Sequence, residues 1–171
     1  RSGEDPDRRS PFPVDLGAEG TFGIKLVVLS AANQGDLPPV PGEAPMILVS
    51  VDSTPPVVRL DPVQVGTGVN TGKVAILWSA SDLHIGPKSV TISVKQDAPN
   101  ATWQPIAPPL DNTGQYIWTL PPNAPPKFLL KVEVTDDAGN VGSAETPENQ
   151  PVVIDLSRPR SRILGIEPSS V

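Results

Sequence analysis

Hydrophobic and polar positions alternate with a period of two along much of this chain. Val74, Ile76, Trp78 and Ala80 share one face of KVAILWSASD (73–82), and Val90, Ile92 and Val94 share one face of SVTISVK (89–95). Tyr116, Trp118 and Leu120 do the same in QYIWTL (115–120), as do Phe128, Leu130, Val132 and Val134 in KFLLKVEV (127–134). Successive side chains of a strand point to opposite faces, so this spacing predicts strands buried on one side. Further strands are predicted at VVRLD (57–61) and PVVIDL (151–156), with a short one at TWQPI (102–106). Proline, glycine and asparagine clusters separate them, as turn chemistry requires. No ten-residue stretch carries an apolar stripe at helical spacing without a proline or glycine inside it. The prediction is an all-β fold.

The pattern also repeats. At an offset of 106, FGIKLVVLSAA (22–32) lies over FLLKVEVTDDA (128–138), matching Phe22 with Phe128, Lys25 with Lys131, Val28 with Val134 and Ala32 with Ala138. Upstream, Phe12 and Val14 fall on Trp118 and Leu120; downstream, after a three-residue gap, Asp52 falls on Asp155, Pro56 on Pro159 and Arg59 on Arg162. Seven short strands between residues 57 and 159 predict a complete immunoglobulin-like β-sandwich there. Residues 11–56 then hold only the closing strands of an incomplete repeat, residues 1–10 a flexible lead-in, and residues 160–171 a tail or the start of a further strand. The incomplete repeat leaves Phe12, Val14, Phe22, Ile24, Leu26, Val28, Val49 and Val51 to be covered, at roughly 1.5–3 kcal/mol for each large apolar side chain left wet. The missing strands of a longer protein from which the chain was cut or strands from a neighbour, pairing with the tail RSRILGIEP (160–168) of the same or another chain, or packing on the complete domain would each serve.

Composition narrows the field. Proline reaches 23 of 171 residues, and each one fixes φ and removes a backbone donor, which keeps segments short. The net charge of −6 carries no basic footprint for nucleic acid. No run of about 20 apolar residues suits membrane insertion, and the first residues lack a signal peptide's basic-then-apolar pattern, which a mature or excised segment would lack in any case. Cysteine is absent, which excludes disulfides and thiolate zinc sites and suits an exported bacterial protein as well as a cytosolic one.

Four stretches occur in order: VDSTPPVV (51–58), AILWSASD (75–82), TWQPIAPPLDNTGQYIWTLP (102–121) and VEVTDDAGNVG (132–142). Together they resemble tandem bacterial Ig-like (fibronectin-III-like) repeats of large secreted or cell-surface proteins, most of all those of planctomycete-type bacteria. The resemblance spans about residues 50–160, with a partial echo in 11–52. It implies a fibronectin-III-like β-sandwich preceded by a partial β-sandwich repeat, an extracellular or cell-surface location, a spacer or adhesion role without chemistry of its own, and neighbouring Ig-like domains of the same or another chain as partners. The hairpin QDAPNATW (96–103) is similar to an Asp-box turn but breaks its spacing and lacks its glycine, so no sialidase-like role is implied.

Each candidate for chemistry has a plainer alternative. Asp136 and Asp137 in KVEVTDDAGNVG are consecutive, so they point to different sides of an extended chain, whereas a calcium loop alternates its oxygen ligands. The stretch reads as a turn with Gly139 at positive φ. Asp52, Asp136, Asp137 and Asp155 remain the candidate calcium ligands, should they cluster near a domain junction. GTGVNTGK (66–73) imitates a phosphate loop, yet Thr67 stands where the first glycine belongs and Val74 where the magnesium-binding hydroxyl belongs. In WSASDLH (78–84) the chain's sole histidine, His84, is too near its serine and aspartate neighbours to converge as a triad. No catalytic residue and no cofactor is assigned. Trp103 is the candidate sugar-stacking ring, its alternative being a lid over an open core edge. Asn100-Ala-Thr102 is a glycosylation sequon that means little in a bacterial protein. VDSTPPVV reads as a semi-rigid linker. The expectation is a non-enzymatic structural module, with a glycan- or protein-binding accessory module using loops 82–88 or 96–101 as the alternative.

Overall fold

The computed structural model describes residues 13–30, 32 and 34–155; Phe12, the 1–10 segment, the tail with Pro159 and Arg162, and the end of the strand expected at 151–156 lie outside the described residues. The chain divides after Thr54 into two compact units. The fold is all-β: the described residues form eleven strands that pair antiparallel and contain no α-helix, only a short 3₁₀ turn.

The second unit is a β-sandwich. In one sheet β5 (Lys73–Ser81) is central, with β3 (Val57–Leu60) and β4 (Gln64–Val65) following one edge in turn and β8 (Gln115–Thr119) on the other. The second sheet runs β7 (Gln104–Pro105), β6 (Val90–Gln96), β9 (Lys127–Thr135), β10 (Val141–Glu145), and β11 (Val152–Val153) continues along the same edge of β9. The inward residues of the alternating stretches form the core. Val74, Ile76, Val90, Phe128, Leu130, Val132 and Val134 are fully buried, and Trp78, Ile92, Trp118, Val152 and Ile154 nearly so. Trp118 meets Phe128 edge to face with ring centroids 5.4 Å apart, the favoured aromatic geometry. Trp78 is buried because its Nε1–H finds the Asn112 Oδ1 at 3.0 Å, while the Asn112 amide donates to the Ala80 carbonyl at 3.2 Å.

Two strands escape the periodicity. β4 is two residues long, and β10 (VGSAE) offers only small side chains to the core. β10 forms because the edge of β9 supplies its partners, and Gly142 lets it pass where a Cβ would overlap the Pro56 carbonyl oxygen. Between Glu145↔Lys131 and Val152↔Phe128 the edge strand advances seven residues while β9 advances three. Thr146 bridges that detour: its Oγ1 accepts from the Leu130 N–H at 2.9 Å and its own N–H donates to the Leu130 carbonyl at 2.9 Å.

The first unit contains one ladder, β1 (Gly20–Ile24) against β2 (Ile47–Val51), with Phe22 opposite Val49. Offsets of 106 and 103 carry that pair onto Phe128↔Val152. The isolated bridge Leu29↔Gly35 lies, at the same 106, on Thr135↔Val141, the first pair of the β9–β10 hairpin. The turns inside these hairpins share three hydrogen bonds. Ser30 N–H donates to the Gln34 carbonyl, and Ser30 Oγ accepts from the Ala32 and Gln34 N–H groups at 3.3 and 3.1 Å. Asp136 N–H donates to the Asn140 carbonyl, and Asp136 Oδ1 accepts from the Ala138 and Asn140 N–H groups at 2.9 and 2.8 Å.

Candidate functional site

The acidic turn that drew attention in the sequence is held together by its own chain. Asp136 is buried; besides the two backbone donors on Oδ1, its Oδ2 accepts from the Asn140 Nδ2 at 2.8 Å. Burial raises its pKa, but the Asn140 side chain and the N–H groups of Asn140, Ala138 and Gly139 outweigh that and leave the carboxyl below its ordinary value. Gly139 adopts φ 93°, the left-handed conformation the turn requires. Asp137 is exposed, its N–H donating to the His84 carbonyl at 2.9 Å and its carboxylate lying over Gly86. Asp82 Oδ1 in turn accepts from the His84 N–H at 2.8 Å, an Asx turn in the adjacent loop.

Two of the candidate calcium ligands, Asp136 and Asp155, lie apart. Asp136 follows the C-terminal end of β9, whereas Asp155 follows β11, which pairs with the N-terminal end of β9. A nine-residue strand spans roughly 25–30 Å at 3.3 Å per residue, so these two carboxylates occupy opposite poles of the sandwich. Asp52, in the first unit, accepts from the Thr54 N–H at 3.0 Å in an Asx turn of its own. Beside it Glu19 gathers the Ser53 hydroxyl, the Ser53 N–H at 3.1 Å and the Thr54 hydroxyl at 3.0 Å, bonds that hold its carboxyl below the ordinary range.

Trp103 is half-buried and covers no core edge. It precedes β7 and lies over the outer face of the five-stranded sheet, with Lys95 Nζ 5.0 Å and Lys131 Nζ 5.1 Å from its ring centroid. Lys95 stands opposite Leu129 in the β6–β9 register, and Leu129 is 3% exposed although its position in the alternation faces outward. The outer face therefore carries a buried leucine and an indole with two ammonium groups over its ring. Lys131 also pairs with Glu133 at 2.8 Å. Periodicity pointed Lys95 and Lys131 outward, but their closeness to Trp103 depends on how the 97–103 loop returns, and no local pattern encodes that. Asn112 and Thr146 were missed because each serves a backbone or indole group distant in sequence.

GTGVNTGK forms the 3₁₀ turn Gly68–Asn70 leading into β5, with no helix N-terminus to face a phosphate. Two depressions of the described surface are open grooves, one lined by Val14, Leu16, Val51 and Ser53, the other by Val57, Arg59 and Ser79.

Compared with protein-family models, curated proteins and solved structures, the chain matches none. Its class rests on the fold: an all-β protein whose second unit is a two-sheet sandwich with a filled core.

Proposed function

We propose that this chain is a non-enzymatic structural module, a spacer built from tandem Ig-like (fibronectin-III-like) repeats of a large secreted or cell-surface bacterial protein. The observation that carries the reading is the recurrence of one hairpin in both units. The same ladder pairs and turn hydrogen bonds return at a common offset of 106 along the hairpin, shortened to 103 beyond it. Strand order supports it. The chain crosses between sheets from β5 to β6, from β7 to β8 and from β8 to β9, the Greek-key path of Ig-like sandwiches. The linker suits a spacer as well: Glu19 grips Ser53 and Thr54 within the first unit, and Pro56 is buried beneath β10 within the second. Neighbouring Ig-like domains are its partners. Single-molecule stretching tests this: the sandwich should open in one step, lengthening by up to roughly 3.3–3.6 Å per residue released. Gradual extension without a step would remove the spacer role.

The Trp103 platform supports a second reading, an accessory module that binds glycans. A ring with two ammonium groups over it suits acidic sugars, which would stack on the indole face the lysines leave open and place a carboxylate or sulfate within reach of Lys95 and Lys131. A glycan array with Trp103→Ala as control decides it; binding that survives the substitution would dismiss the platform.

A further inference from the structure

We infer that the exposed segment Leu37–Pro41 is a displayed polyproline ligand, and that its partner is a protein with an aromatic-lined groove of the kind that reads P-x-x-P segments. All its parts lie between Ile24 and Ile47, so it does not turn on either end of the chain, and it is separate from the spacer role.

LPPVP (37–41) leaves its backbone little choice. Pro38, Pro39 and Pro41 each hold φ at about −65°. Leu37, Pro38 and Val40 each precede a proline, which pushes them out of the helical region into extended or polyproline conformation. All five residues are exposed and none belongs to a strand. Leu37 is 82% exposed and Val40 65%. In polyproline geometry three residues complete a turn and rise about 9 Å. Leu37 and Val40 therefore share one edge and Pro38 and Pro41 the next, which gives two successive apolar–proline pairs on one side.

Both ends of the segment are held. On one side stand the bridge Leu29↔Gly35 and the Asp36 N–H, which donates to the Val28 carbonyl at 3.4 Å. On the other, the Glu43 N–H donates to the Val40 carbonyl at 3.1 Å and Gly42 sits at φ 87°. Proline second and a left-handed glycine third make this a type II turn. The Glu43 carboxylate clamps it, accepting from the Val40 N–H at 3.2 Å and pairing with the Lys25 ammonium. A ligand already held in its bound shape pays less ordering entropy on association.

The second unit shows what the prolines displace. At the offset of 106, Pro38 and Pro39 fall on Ala144 and Glu145, which pair with Val132 and Lys131. Proline has no N–H for a ladder, so no strand like β10 forms here, and Lys25 and Leu26 opposite lie outside β1. The pairs on either side, Ile24↔Ile47 and Leu29↔Gly35, remain. A local break in a pattern kept on both sides is where function is expected. The chain's other double prolines are not displayed in this way. Pro56 is buried, and the 121–126 stretch folds back with the Ala124 N–H on the Pro121 carbonyl at 2.9 Å. Pro108 and Pro109 lie between Ile106 and Leu110, whose N–H groups donate to β6.

Grooves that read P-x-x-P segments are lined by aromatic rings. Asp36 beside the segment and a net charge of −6 favour a groove with a basic rim.

Amide NMR of the full 171-residue chain, titrated with purified SH3, WW and EVH1 domains as aromatic-groove probes, tests this. At least one domain should shift the Leu37, Val40 and Gly42 amides saturably. Pro38→Ala and Pro41→Ala should each weaken that binding about tenfold or more, the loss expected of a groove-filling anchor. Both positions are exposed, and unmoved β9 amides report that the fold is kept. Pro121→Ala should change nothing. No saturable shift with any domain at millimolar concentration, shifts centred on residues 121–126, or binding that survives either substitution overturns the proposal. So does slow hydrogen exchange at the Leu37 amide of the free chain, which would show that another part of the chain already covers the segment.

Discussion

Ser30 and Asp136, 106 residues apart, close the same turn: each receives two backbone N–H groups, from the residues two and four positions on, and each donates its own N–H to the carbonyl four positions on. They differ in charge and in surroundings. Asp136 is buried and takes a further bond from the Asn140 side chain, while Ser30 is exposed. Hydrogen bonds to a carboxylate are roughly twice as strong as those to a hydroxyl. Ser30→Asp should therefore slow amide exchange at Ala32 and Gln34, whereas Asp136→Ser should speed exchange at Ala138 and Asn140 without unfolding β9. Unfolding of the sandwich by Asp136→Ser would show that the two turns are not interchangeable.

The Asp136 carboxyl has a lowered pKa in the folded chain. A group whose folded pKa lies below its unfolded value, near 3.9 for aspartate, stabilises the fold fully above the unfolded pKa and loses that contribution as pH falls through the folded one. The melting temperature should fall below about pH 4, and Asp136→Asn should flatten that part of the profile. Both carboxylate oxygens are engaged by the turn, so chelator and calcium should leave the melting temperature of the sandwich unchanged. A calcium-dependent rise would restore a metal role to this pole.

Phe128 is fully buried against Trp118, while its counterpart Phe22 is half-buried. Removing a buried phenylalanine costs about 3–5 kcal/mol, so Phe128→Ala should collapse the urea midpoint of the sandwich. Phe22→Ala should shift that transition by less than about 0.5 kcal/mol, as substitutions away from a core do. Equal shifts would mean the two faces are equally covered.

The sandwich was legible because its core strands alternate: every inward residue of β5, β6 and β9 was named by period alone. The proposed repeat drew on Phe22, Lys25 and Val28 in the sequence, and the register adds the bridge Leu29↔Gly35 to that comparison. β10 was hidden since Gly142, Ser143 and Ala144 have little intrinsic strand preference, and pairing with β9 decides their state. The Trp103 platform was half visible: the ring stood out, but Lys95 and Lys131 reach it through a loop whose path depends on tertiary packing. Of the candidate calcium ligands, Asp155 and Asp136 follow opposite ends of one strand, a distance sequence proximity to turns does not report.

Thr146 offers the sharpest test of the edge detour. Its Oγ1 accepts the Leu130 N–H, a backbone donor of the central strand that would otherwise face the gap between β10 and β11. Thr146→Val keeps the shape and removes the acceptor, leaving a buried donor unsatisfied at a cost of about 1–3 kcal/mol. Thr146→Ser keeps the acceptor and should cost less. Urea denaturation of the three proteins separates hydrogen bonding from packing: if serine destabilises and valine does not, the lost methyl contact rather than the bond governs this site. If valine alone destabilises, and exchange at the Leu130 amide rises with it, the side chain stands in for the strand residue that the detour removes.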